Sequence, residues 1–154
     1  MQLTDLVTTV DAVRATRSRK AKIAAVADCL RQAGDDVFVV ATYLSGSLTQ
    51  RRTGVAWRSL TDLPAPAAEP SLSISAVDGA FDEIAVVSGE GSKAERRRLL
   101  DALFGAATEP EQQLLGGLIT GEIRTGALEG VLVAGIAEAY EIPAPVVRRA
   151  VMLA

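Results

Sequence analysis

Apolar residues recur along this chain at the spacing of one helix face, and that period constrains the fold more than any other feature. Leu3, Leu6, Val7, Val10 and Val13 form the first stripe, with Thr4 or Asp5 as its expected N-cap. A second helix is expected from Ser18, with Ile23, Val26, Ala27 and Leu30 on one face and a close at Gly34. Asp35 or Asp36 then caps a short apolar helix over 37–44, ended by Ser45-Gly46. Its β-branched content also suits a strand, but its neighbours favour a helix. Segment 64–70 holds three prolines in seven residues and reads as a connector. Beyond it, Ser75 and Asp78 are the expected openers of a helix running to 87. Ser92 to Glu95 and Thr108 to Glu111 both have the capping-box pattern, and the second carries an early Pro110. Stripes over 128–139 and 143–153 complete the set. The expected fold is all-α, a compact multi-helix domain over 1–154. Its 49% hydrophobic content with only 4% aromatics means that Ala, Leu and Val fill the core.

The residues that are missing limit the chemistry. The chain has no histidine and one cysteine, Cys29. Histidine acid–base catalysis, histidine triads, Cys/His zinc sites and an internal disulfide are all excluded. No carboxylate cluster suggests a magnesium site, so no catalytic and no metal residue is expected. Cys29 reads as a small buried hydrophobe. No apolar run approaches the roughly 20 residues that span a bilayer, and the N-terminus lacks signal-peptide features, so a cytoplasmic protein with no membrane partner is expected. The chain stops without a C-cap signal and reads as a domain cut from something longer.

The second half echoes the first. Leu44-Ser45-Gly46-Ser47-Leu48 resembles Ile119-Thr120-Gly121-Glu122-Ile123, and each leads into Arg-Thr-Gly, at Arg52-Thr53-Gly54 and Arg124-Thr125-Gly126. Upstream, a basic helix from Ser18 matches one from Ser92, at offsets of 74 to 75 residues. Each half, 18–60 and 92–130, reads as basic helix, apolar helix, glycine turn, then Arg-Thr-Gly opening another helix. A pseudo-twofold internal repeat of this kind suits the two antiparallel backbones of duplex DNA.

Glycine beside a helix start lets backbone N–H groups approach an anion, and arginine adds charge-assisted bonds to phosphate. On the motif alone, Gly121 and Gly126 are equally readable as turn formers with Arg124 solvated. Gly89 to Lys93 lacks the spacing of a nucleotide-binding loop and reads as a helix-capping loop. Arg96, Arg97 and Arg98 point in different directions on a helix, so only one or two can face a common partner. Trp57, at helical spacing from Leu60, reads as a core residue, although it can also stack on a ribose or base.

The run Ser88-Gly89-Glu90-Gly91-Ser92-Lys93, then Arg98-Leu99-Leu100, Leu103-Phe104 and Glu111-Gln112, then 118–130, resembles the N-terminal domain of ATP-dependent DNA ligases. Tyr43 to Gly46 and Arg51 to Val55 resemble its bacterial branch, so the likeness covers nearly the whole chain. The resemblance implies an all-helical, pseudo-twofold module that grips the minor groove on both sides of a nick without reading sequence. The phosphate contacts it implies are Arg52, Gly54, Gly91, Ser92, Lys93, Gly121, Arg124 and Gly126. The adenylated lysine of such ligases precedes Asp-Gly by two positions. Here Ala76 stands before Asp78-Gly79, so this chain is expected to be no enzyme by itself. The parent is expected to be an ATP-dependent DNA ligase of repair, replication and recombination. Its adenylation and OB-fold domains, lying elsewhere in the same chain, would use ATP and magnesium, and its partner would be nicked double-stranded DNA. A net charge of −3 is unexpected for such a module and leaves a competing reading, a helical protein-interaction or regulatory module.

Overall fold

The computed structural model describes residues 1–123 and 129–153, and side chains over all of these except 129 and 151–153. Among them there are eight α-helices and no strand. They are α1 (Leu3–Ala15), α2 (Arg19–Ala33), α3 (Val37–Leu44), α4 (Ile74–Val86), α5 (Ser92–Ala106), α6 (Glu109–Thr120), α7 (Glu129–Tyr140) and α8 (Ala144–Leu153), with 3-10 turns at Gly34–Asp36 and Trp57–Leu60.

Each helix buries the stripe that its sequence carries. Leu3, Leu6, Val10 and Val13 of α1 meet Ile74, Val77, Phe81 and Ile84 of α4 and Leu100, Leu103 and Phe104 of α5 in one core. Cys29 lies inside it, and burial pushes its thiol pKa up, as for an inert structural cysteine. Helix α7 packs along α2 so closely that a Cβ on Gly135 would fall 2.5 Å from Val26 Cγ1. That glycine is therefore required for the approach of the two backbones.

Several helix starts differ from expectation. Gln2, not Thr4 or Asp5, caps α1, and Asp5 accepts from the Gln2 backbone N–H at 3.1 Å. Ser73 caps α4 by accepting from Ala76 N–H at 3.1 Å, upstream of Ser75 and Asp78. Asp78 is instead committed to the loop after α3. The Ser92 to Glu95 box does not form, because Gly91, with φ 77°, takes the cap position and Ser92 becomes the first helical residue. Glu95 pairs forward with Arg98 at 3.0 Å. The Thr108 to Glu111 box does form, Glu111 Oε1 accepting from Thr108 N–H at 2.8 Å.

The Pro-rich connector is tied down. Ala67 N–H donates to Ala107 O at 2.8 Å and Gln112 Nε2 to Pro64 O at 3.2 Å, so it runs as a strap along the α5–α6 corner. It joins two halves in which α1 packs on α2 and α6 while α4 packs on α5 and α3. Where α1 and α4 begin, Leu3 N–H donates to Leu72 O and Ile74 N–H to Met1 O, both at 2.9 Å. These two bonds exchange donors and acceptors 71 residues apart.

Candidate nucleic-acid interface

The loop after α3 is held in place by α4. Asp78 Oδ1 accepts from the Thr49 hydroxyl and, at 3.0 Å, from Gln50 Nε2. Asp82 Oδ1 accepts from the same amide at 2.7 Å. The carboxylate of the lone Asp-Gly pair therefore serves as a loop anchor. The loop turns at Gly46, whose φ of 91° suits glycine. A Cβ there would lie 2.8 Å from Ile123 Cγ2, so the Gly46 turn rests on the segment following Gly121. Gly121, φ 72°, ends α6 in the left-handed conformation. The two glycine turns singled out by the repeat thus lie side by side. With Gln50, Arg51 and Thr53 they line a groove of about 430 Å³.

A larger cleft of about 750 Å³ adjoins it, with Val55 in the wall of both. Gly54, Arg58, Gly91, Lys93 and Arg96 line it. Gly54 comes from the loop after α3, while Gly91 and Lys93 come from the start of α5. Gly54 has φ 71°, and a Cβ on it would lie 2.7 Å from Arg96 Nε. The N-terminus of α5 adds its partial positive charge to these cations. The neighbouring carboxylate of Glu95 is held below the usual range by its hydrogen bond from Arg98.

Of the residues expected to contact phosphate, Gly54, Gly91 and Lys93 meet in the larger cleft and Gly121 lines the adjoining groove. Arg52 is exposed, between the groove-lining Arg51 and Thr53 in the chain, and Ser92 is half-buried at the first turn of α5. Arg124 and Gly126 lie outside the described residues.

The arginine run separates by function. Arg97 donates to the carbonyls of Ser59 (2.9 Å), Thr61 (2.9 Å) and Asp62 (2.6 Å) and pairs with Asp101 at 3.0 Å. It clamps the 3-10 turn onto α5. Arg96 reaches the Val87 carbonyl at 3.0 Å, and Arg98 is exposed. Arg58 and Arg96 line the cleft although they stand outside the expected phosphate-contact set. Arg58 had one signal, its place beside Trp57 and the Arg51-Arg52 pair. Trp57 corrects an expectation: it is 65% exposed, not core, because its element is a single 3-10 turn that turns Leu60, not Trp57, toward the interior.

A family model described as DNA ligase N terminus matches residues 53–137, more than half of the chain. A "Probable DNA ligase" of Beutenbergia cavernae is 52% identical over 100% of this chain and 30% of its own length. Proteins of the same description from Nocardioides sp. and Mycolicibacterium gilvum are 50% and 49% identical, each over 99% of this chain and 31% and 30% of their own lengths. The chain spans about 30% of the length of these curated relatives. By the extent of the matched model and the full coverage by these relatives, the chain belongs to the DNA ligase N-terminus family.

Proposed function

We propose that this chain is the duplex-binding module of a longer, ATP-dependent nick-sealing enzyme, holding the sugar–phosphate backbone around a nick without reading sequence. The observation that carries this reading is the convergence of Gly54, Gly91 and Lys93 on one cleft with Arg58 and Arg96, continued past Val55 to Arg51 and Gly121. Open glycine backbone, a helix N-terminus and several cations are the parts a phosphate needs. Phosphate contacts without base-edge readers give affinity independent of sequence.

Arg52, Ser92, Arg124 and Gly126 belong to the same proposed contact set. The exchange of packing partners between α1 and α4, with their reciprocal backbone bonds, supports a pseudo-twofold arrangement of halves 18–60 and 92–130. Each half then presents one glycine turn to one DNA strand. The AMP-accepting lysine, with ATP and magnesium, is assigned to the adenylation and OB-fold parts of the longer polypeptide, and the cellular role to repair and replication. Binding that rests on phosphate contacts, by a chain whose net charge is −3, is expected to be strongest at low salt.

The test is a titration of a labelled nicked duplex by fluorescence anisotropy at several salt concentrations. Lys93→Ala and Arg124→Ala are each expected to weaken binding alike on unrelated sequences and to reduce the log–log salt slope by about one. Unchanged affinity and slope in both variants would overturn the assignment.

A further inference from the structure

Trp57 is a large aromatic left 65% exposed beside a cationic cleft, and nothing in the phosphate-contact set uses it. Its support is rigid on one side only. Arg97 bonds to Ser59, Thr61 and Asp62 hold the end of the turn, and Leu60 packs against the core. The indole is thereby presented outward from a fixed base, so engaging a partner costs little ordering entropy. The Arg58 guanidinium lies 5.5 Å from the indole centroid, a cation–π arrangement that holds this cleft-lining cation against the ring.

We infer that Trp57 and Arg58 form a two-part contact to the duplex, the indole stacking on a deoxyribose or base edge while Arg58 takes the adjacent phosphate. The inference rests on the DNA-binding reading and adds an apolar, sequence-tolerant contact to its phosphate contacts. Every nucleotide of a duplex exposes a deoxyribose whatever its base, so packing the indole on the sugar adds affinity without sequence preference. Phosphate draws the guanidinium away from the ring as the indole face is covered, so the two contacts form together. Lys93 and Arg96 in the cleft with Arg58, and Arg51 in the adjoining groove, favour a polyanion over an apolar protein face.

The sequence holds one tryptophan, so its emission reports Trp57 alone. The 154-residue chain is titrated at low salt with an unlabelled nicked duplex while emission and acrylamide quenching are followed. A parallel titration follows the anisotropy of a labelled duplex. Trp57 emission is expected to change, and acrylamide access to fall, with the same midpoint as the anisotropy. Trp57→Ala is expected to lose about tenfold in affinity at an unchanged salt slope, with an unchanged melting curve. Arg58→Ala is expected to lower the slope by about one. Anisotropy that rises with no change in emission or acrylamide access overturns the Trp57 contact and leaves DNA binding standing. A wild-type chain that gives no anisotropy change overturns both.

Discussion

A Cβ on Gly54 would lie 2.7 Å from Nε of Arg96, so the loop after α3 approaches α5 at a point where only glycine leaves Arg96 in place. Arg96 is the far end of a flexible side chain and can swing away. Doing so breaks its bond to the Val87 carbonyl, and the φ of 71° at position 54 stays unfavourable for any Cβ. Gly54→Ala is therefore expected to cost about 1–2 kcal/mol in urea unfolding and to weaken duplex binding. In a double-mutant cycle with Arg96→Ala the steric part should vanish and the φ part remain. Full additivity of the two substitutions would show that the contact carries no energy.

Two adjacent arginines are expected to behave in opposite ways. Arg97 makes bonds to three main-chain carbonyls and fixes Asp62, which has a positive φ of 56°. Arg97→Ala should destabilise the chain by about 2–3 kcal/mol, since charge-assisted bonds to carbonyls are lost and the 3-10 turn loosens. Exposed Arg98 pairs with half-buried Glu95 on the helix surface, and Arg98→Ala should leave the thermal midpoint unchanged. Equal midpoints for the two variants would show that the clamp is not structural.

This contrast shows where sequence reading stops. The helical stripes of α1, α2, α5 and α6 were legible because the 3.6-residue period is local, and Gly34 and Gly121 marked helix ends for the same reason. The convergence of Gly54, Gly91 and Lys93 was legible only through family resemblance, since 37 residues separate Gly54 from Gly91. Nothing local distinguishes Arg96, Arg97 and Arg98. Their roles depend on where the carbonyls of Ser59, Thr61 and Asp62 arrive from another part of the chain. Trp57 departs from the core position that its spacing implies for a related reason. Spacing to Leu60 implies a shared face only in a sustained α-helix, and Arg52-Thr53-Gly54 leads into a single 3-10 turn.

The Tyr43 hydroxyl is buried without a hydrogen-bond partner among the described residues. Burial first, then the charges of Asp78 and Asp82, raise its pKa well above the ordinary value of 10.0. The sign follows from proton linkage: with the folded value raised, the unfolded chain loses this proton first. The contribution to stability is thus fully present below pH 10.0 and declines as pH rises toward the folded value. Tyr43→Phe is expected to flatten the alkaline fall in stability and to be neutral or slightly stabilising at pH 7, because the hydroxyl it removes is unpaired. Urea midpoints of both proteins from pH 7 to about pH 11 provide the check. A large loss at pH 7 in the variant would mean that the hydroxyl has a partner after all.

Ser92 to Glu95 and Thr108 to Glu111 share the Ser/Thr-x-x-Glu capping-box pattern and only the second forms its box, which makes the pair an internal control. Glu111 is fully buried, with Oε1 on Thr108 N–H at 2.8 Å, and it lies beside Leu114 and Leu115 in the α6 core face. Glu111→Ala leaves that N–H unpaired and opens a small void, for an expected loss of about 1–3 kcal/mol. Glu95 occupies the matching position near the start of α5, but Gly91 has displaced Ser92 from the cap and Glu95 turns to Arg98. Glu95→Ala is expected to leave the thermal midpoint where it was. It should instead strengthen duplex binding at low salt, since it removes a negative charge two residues from Lys93 and frees Arg98. Parallel melting curves and salt-series titrations of the two variants measure both effects. A Glu95→Ala chain as destabilised as Glu111→Ala would mean that the Ser92 box forms in solution.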